Sequence, residues 1–176
     1  MNRIFLIGYM GAGKTTLGKA LAEQLSYEFI DLDWYIEEKT GQSIPSLFLH
    51  QGEEAFREME HASLMELLEK ERVIVATGGG APCFLDNMDL MLKAGVVVFL
   101  EASQEVLFRR LKDSLSQRPI LKDKTEAELR EFIASSLAER MKHYRRATHK
   151  MDSDRLESEE EIKNTVSELL KMLTIS

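Results

Sequence analysis

A chain of 176 residues with a formal net charge of −7 is long enough to bury one continuous core and too acidic for a general grip on nucleic acid, which takes a basic face. Its 44% hydrophobic and 30% charged residues, with only 3 prolines, exclude a disordered tail, and apolar runs such as residues 96–100 are too short to span a bilayer. Cys83 is the single cysteine, so no intramolecular disulfide can form, as suits a reducing compartment, and no Cys/His cluster has metal-ligand spacing.

The chain enters RIFLIG at once, without the longer apolar region and cleavage site of a signal peptide, so a soluble cytoplasmic protein is expected, in contact with neither membrane nor nucleic acid. Residues 4–7 are continuously apolar, the pattern of a strand covered on both faces. The run GYMGAGKT over residues 8–15 follows, and fits glycine, four residues, glycine, lysine, then serine or threonine. Glycines let the backbone curl so that several N–H groups point at phosphate oxygens, and the helix behind adds partial positive charge. In such a loop Lys14 reaches the β- and γ-phosphates and Thr15 offers its hydroxyl to Mg²⁺. A helix over 14–25 carries Leu17, Leu21 and Leu25 on one stripe.

A second strand over 27–30 leads into Asp31 and Asp33. If strand geometry persists, the two carboxylates face one side, where one serves Mg²⁺ through water and the other accepts the proton of an attacking hydroxyl. Asp33 equally fits the cap of a helix starting at Trp34. A helix over 53–70 puts Arg57 on a stripe with Leu64 and Leu68. A third strand over 73–76 ends in Gly78, Gly79 and Gly80, which either admit a substrate against the backbone or make a loose turn. Residues 96–100 read as a fourth strand.

The polar residues 112–124 lie between two helices, and read either as a lid that brings Arg118 onto the phosphates or as a solvated connector. Thr125 and Glu128 have capping-box spacing and open a helix to about residue 146, on which Arg140 follows Leu137 by three positions. An arginine inside an apolar stripe needs an anion or a water-filled cleft, so Arg57 and Arg140 can together clamp a carboxylate. The alternative for each is a snorkelling arginine paired with a neighbouring glutamate. Residues 147–151 read as a fifth strand, and Ser158 with Glu161 opens a last helix striped by Ile162, Val166, Leu169 and Leu173.

Alternating strands and helices imply an α/β fold in three layers, a parallel sheet with helices on both faces and ligands at the carboxyl ends of the strands. Gly8, the aspartate pair and the glycine triplet each follow a strand, so one sheet edge collects every motif.

In order along the chain, GYMGAGKT, FIDLD, TGQSI, GEEAFREME, ATGGGAP, VVFLE, QRPIL and LAERMKHYRRAT match the shikimate kinases, and the chain resembles that family over nearly its full length. The resemblance implies a P-loop fold of the nucleoside monophosphate kinase type, with a five-stranded parallel sheet in one kinase domain over 1–176. It implies transfer of the γ-phosphate of ATP, with Mg²⁺, to the 3-hydroxyl of shikimate, a step of aromatic amino-acid synthesis. ATP would lie on Gly11, Ala12, Gly13, Lys14, Thr15 and Thr16, with Arg110 and Arg155 flanking adenine. Thr15-Thr16 stands where Ser-Thr is frequent, and threonine keeps the hydroxyl that magnesium needs. Asp31 would be an outer-shell magnesium partner and Asp33 the base that also contacts the shikimate hydroxyls. Arg57 and Arg140 would bind the shikimate carboxylate, Gly79 would touch shikimate, and Arg118 would be the lid arginine. The segment from about 31 to 61 would hold the substrate, and about 112–124 would be the lid.

Two rivals stand beside this reading: a kinase for another small metabolite, such as a sugar acid or a nucleotide, and a nucleotide-dependent switch. The paired arginines with Asp33 separate the first, and a switch needs no acceptor pocket. The chain is small enough to act as a monomer.

Overall fold

Three strands carry unbroken runs of at least four apolar residues because they lie in the middle of a sheet, covered on both faces. In this computed structural model, which describes residues 2–113 and 124–175, they are β1 (Arg3–Ile7), β3 (Val73–Ala76) and β4 (Val96–Glu101). The edge strands β2 (Glu28–Asp31) and β5 (His149–Asp152) keep polar residues where one side meets water. Among the described residues the sheet has five parallel strands in the order β2-β3-β1-β4-β5. The expected fold class is thereby observed, with β5 shifted slightly along the chain from residues 147–151.

The helices are α1 (Lys14–Leu25), α2 (Leu32–Thr40), α3 (Ile44–Leu67), α4 (Asn87–Ala94), α5 (Gln104–Asp113), α6 (Glu126–Tyr144) and α7 (Glu159–Ile175). A short 3₁₀ turn spans Ala81–Cys83. The core is one cluster running through β1, β3 and β4 into Leu17 and Leu21 of α1, Leu64 and Leu67 of α3, and Leu169 and Leu173 of α7. Both capping boxes form: Thr125 with Glu128, and Ser158 with Glu161. No helix among the described residues is long and apolar enough to cross a membrane.

Two local expectations are corrected. Strand geometry does not persist past Asp31, because α2 begins at Leu32. The helix cap is Asp31, not Asp33: its Oδ1 accepts from the backbone N–H of Asp33 at 3.1 Å and of Trp34 at 3.4 Å. The helix expected from residue 53 begins there, directly after Gly52, but a helical stretch from Ile44, capped by Ser43 and aided by Pro45 in its first turn, precedes it in α3. Helix α3 kinks at Gly52, whose φ of 83° and ψ of 170° suit glycine, and this break separates the two segments.

Register sets the site. Ala76 pairs with Leu6 of β1 and with Asp31 of β2, so three strands end at one level. The phosphate-loop motif, the aspartate pair and the glycine triplet all leave the sheet at that edge.

Candidate active site

A cavity of about 480 Å³ opens at this edge, lined at one end by Gly11, Gly13, Lys14 and Thr15 and at the other by Asp33 and Gly79. Gly13 caps α1 with φ 94° and supplies no side chain, so the first turn of the helix is left for an anion. A Cβ on Gly13 would lie 2.4 Å from Leu156 Cδ1, so the loop is also held close from behind. Lys14 Nζ donates to the carbonyls of Gly8 at 2.8 Å and Tyr9 at 2.9 Å, which keeps its charge over the loop. Ala12 is fully buried in the loop, and Thr16 lines the cavity.

Thr15 Oγ1 donates to Asp31 Oδ2 at 2.9 Å, so one hydroxyl and one carboxylate meet beside the phosphate loop. No group of three or more His, Cys, Asp and Glu side chains among the described residues could hold a metal alone. That sparse set of hard oxygens fits Mg²⁺, which keeps several waters and takes its remaining ligands from phosphate.

Asp33 lines the same cavity. Burial, then the neighbouring Asp31 charge, push its carboxyl up to about 6, against the pull of Lys14 and Arg57. A group poised near neutrality can take a proton in a transition state.

Each glycine of the triplet abuts charged side chains, two at Gly78 and one each at Gly79 and Gly80. A Cβ on Gly78 would lie 2.9 Å from Asp33 Oδ1 and 3.0 Å from Glu60 Oε1. On Gly79 it would lie 3.2 Å from Arg140 Nη1, and on Gly80 2.6 Å from Arg57 Nη2. None of the three has a positive φ, so the need for glycine here is space. The triplet is therefore neither a loose turn nor only a surface for substrate. It lets two arginines and two carboxylates converge behind the cavity wall.

The two arginines differ in their partners. Arg57 donates through Nη1 to Glu60 Oε2 at 2.7 Å and through Nη2 to Glu53 Oε1 at 3.3 Å. The neighbouring-glutamate pairing is thus realised for Arg57, alongside its approach to Gly80. The guanidinium also lies 4.0 Å from the centre of the Phe84 ring, a cation–π contact. Arg140 lies over the Tyr9 ring at 5.3 Å, and among the described residues no carboxylate forms an ion pair with it. The Tyr144 hydroxyl donates to the Gly79 carbonyl at 2.6 Å, pinning the middle of the triplet to the end of α6.

Arg110 bridges the loop to the segment after β5. Its Nη1 donates to Gly11 O at 3.1 Å, its Nη2 to Ser153 O at 3.0 Å, and its Nε to Glu157 Oε1 at 3.1 Å. Arg155 is exposed, and its neighbours Leu156 and Glu157, not Arg155 itself, line the cavity. Arg118 and nearly all of the expected lid lie outside the described residues.

Sequence reasoning missed Glu60. It is 1% exposed, and burial pushes its carboxyl up to about 7 even though Arg57 pulls it down. The signal was available in helical spacing: Phe56, Glu60, Ser63, Leu64 and Leu67 are the buried residues of this stretch of α3, and they lie three or four apart. Arg57 sits beside that stripe, and Leu68, placed on it from the sequence, falls at the helix end.

Comparisons with known proteins agree with this geometry. A family model described as shikimate kinase matches residues 10–173. The chain is 51% identical to a shikimate kinase of Phocaeicola vulgatus, over 98% of this chain and 99% of that one. A shikimate kinase crystal structure from Bacteroides thetaiotaomicron superposes with a TM-score of 0.96 at 49% identity, covering 98% of each chain. A shikimate kinase from Acinetobacter baumannii, solved in complex with shikimate, superposes with a TM-score of 0.85 at 32% identity over 99% of this chain and 93% of that one. With a family model matched over residues 10–173, half of its residues identical to a relative over nearly the whole length and its fold shared, the chain belongs to the shikimate kinase family.

Proposed function

We propose that this protein transfers the γ-phosphoryl group of ATP to the 3-hydroxyl of shikimate, giving shikimate 3-phosphate and ADP for aromatic amino-acid synthesis. The observation that carries the reading is the shared cavity: a phosphate loop at one end, and at the other Asp33 in front of two arginines gathered by a glycine triplet. An anionic polyol fits that end, with its carboxylate toward Arg57 and Arg140 and its hydroxyls toward Asp33.

In this reading Gly11 to Thr16 cradle the nucleotide phosphates, and Lys14 neutralises charge as it shifts toward the leaving group. Thr15 and Asp31 would hold Mg²⁺, which would supply charge neutralisation at the phosphates. Asp33 accepts the proton of the attacking hydroxyl, and Gly79 meets the substrate through its backbone. Arg110 shapes the slot for the base. Arg118 is assigned to the transferring phosphoryl group, and Arg155 to the adenine side, from the family resemblance alone. The chain acts as one kinase domain, with about 31–61 as the acceptor segment and about 112–124 as the lid, and as a cytoplasmic monomer.

A coupled assay for ADP release with ATP and Mg²⁺ tests the reading, adding shikimate, quinate, gluconate and AMP one at a time. Strong turnover with shikimate alone is expected. Turnover with gluconate or AMP instead would favour another small-metabolite kinase, and ATP binding without turnover on any of them would favour a nucleotide switch.

A further inference from the structure

Glu60 has no part in the chemistry above, yet it is a carboxylate at 1% exposure in the wall of the site. Its Oε2 accepts from Arg57 Nη1 at 2.7 Å, and its Oε1, like Asp33 Oδ1, crowds the position a Cβ on Gly78 would take. The distances to a Cβ built there place those two oxygens within about 6 Å of each other. The charged and titratable groups around Glu60 are Arg57 on its own helix, Asp33 on α2, Arg140 on α6, and Cys83 in the 3₁₀ turn. Arg57 therefore already serves two carboxylates, the buried Glu60 and the exposed Glu53, before any ligand arrives.

An anionic acceptor brings a third negative charge to the same guanidinium. Glu60 is hydrogen-bonded to one cation, Arg57, and must share it with the newcomer; a buried charge left under-compensated is removed more cheaply by protonation than it is tolerated. Glu60 is the group placed to yield. Burial already pushes its carboxyl up to about 7, and the incoming carboxylate weakens the one strong pull in the other direction, that of Arg57.

We propose that Glu60 is a proton-accepting positioning residue: binding of the acceptor carboxylate at Arg57 is coupled to uptake of one proton from solvent by Glu60. The free enzyme keeps Arg57 oriented by an ionised Glu60, so the clamp is formed in advance. When the substrate carboxylate takes over the guanidinium, Glu60 becomes neutral and remains as a hydrogen-bond partner. The proton comes from the buffer and returns to it when product leaves. The proposal rests on the reading that Arg57 receives the acceptor's carboxylate.

The linkage has a definite sign. Below pH 7 Glu60 is largely protonated before substrate arrives, so binding takes up little and affinity is flat. Above pH 7 binding must draw in the proton, so the Kd for shikimate rises with pH, by no more than about tenfold per unit for one proton.

Titration calorimetry with shikimate at pH 8, in two buffers of different ionisation enthalpy, tests this on the intact enzyme. The expected result is a buffer-dependent heat corresponding to net proton uptake, abolished in Glu60→Gln while shikimate still binds. Infrared difference spectra on wild type with ¹³C-glutamate label provide a second test that needs no variant. Shikimate should raise a protonated-carboxyl band that shifts with the label. A shikimate heat that is independent of buffer overturns the proposal and leaves the function standing. Unchanged uptake in Glu60→Gln, or a band that ignores the label, does the same. No shikimate heat at all overturns both.

Discussion

The two ends of the cavity are built in different ways. The phosphate end is a single continuous run, Gly8 to Thr16, made mostly of backbone, with one lysine and one hydroxyl added. The end proposed for the acceptor is assembled from four places: the side chains of Asp33 on α2, of Arg57 and Glu60 on α3 and of Arg140 on α6, and the bare backbone of the triplet after β3. Backbone N–H groups and a helix terminus bind any phosphate and cost little to hold in place. Side-chain charges choose one acceptor, but they must be buried, paired and kept apart, which is why three glycines and a hidden glutamate accompany them. Generality is thus local in the chain, and specificity is assembled by the fold.

This contrast can be broken at either end. Removing the cation of the phosphate end should do the most damage: Lys14→Ala is expected to lower kcat by more than about 10³-fold with circular dichroism unchanged. Turnover near wild type would remove Lys14 from the phosphate end. At the acceptor end, Asp33→Asn should lower kcat by about 10²- to 10⁴-fold. If KM alone moved, Asp33 would be a binding residue and not a base.

Gly80→Ala tests the spacing itself. The new methyl would meet Arg57 Nη2 at 2.6 Å with no backbone strain, so kcat/KM for shikimate should fall by about 10²-fold while ATP binding persists. An unaffected Gly80→Ala enzyme would mean that the guanidinium has room to move.

The smallest effects are those of pH. With its carboxyl pushed up to about 6, Asp33 must be ionised to act, so kcat/KM should fall about tenfold per unit below pH 6. Stability has the opposite dependence. A carboxyl whose folded-state value is raised favours the fold while protonated, and that contribution is lost as pH rises through 6. Asp33→Asn should therefore melt a few degrees higher than wild type at pH 8, with the gain vanishing near pH 4. A gain that is equal at both pH values would have another cause than the carboxylate.

The same contrast decides what was legible in the sequence. The central strands were readable because a strand covered on both faces must be apolar throughout, and the phosphate loop because all its parts are adjacent. The β5 strand was less sharply placed, since HKMD buries only Met151 deeply. The first half of α3 was missed although Ser43 and Pro45 signal its start; Gly52 hides its continuity by breaking the helical pattern. Asp31 took the capping role expected of Asp33 because the helix begins at Leu32, two residues before the expected start at Trp34. Glu60 was not found because a glutamate between Arg57 and other acidic residues looks solvated, and only the packing of α3 against the triplet shows that it is not.

The central claim is that acceptor recognition lies in the arginine end and is separable from nucleotide binding. Arg140→Lys tests it most directly, because lysine keeps the charge and loses the planar fork. Steady-state kinetics with both substrates varied should show KM for shikimate raised about tenfold and KM for ATP changed by less than about twofold. An equal rise in both constants would contradict the account, since the two ends of the cavity would then fail together.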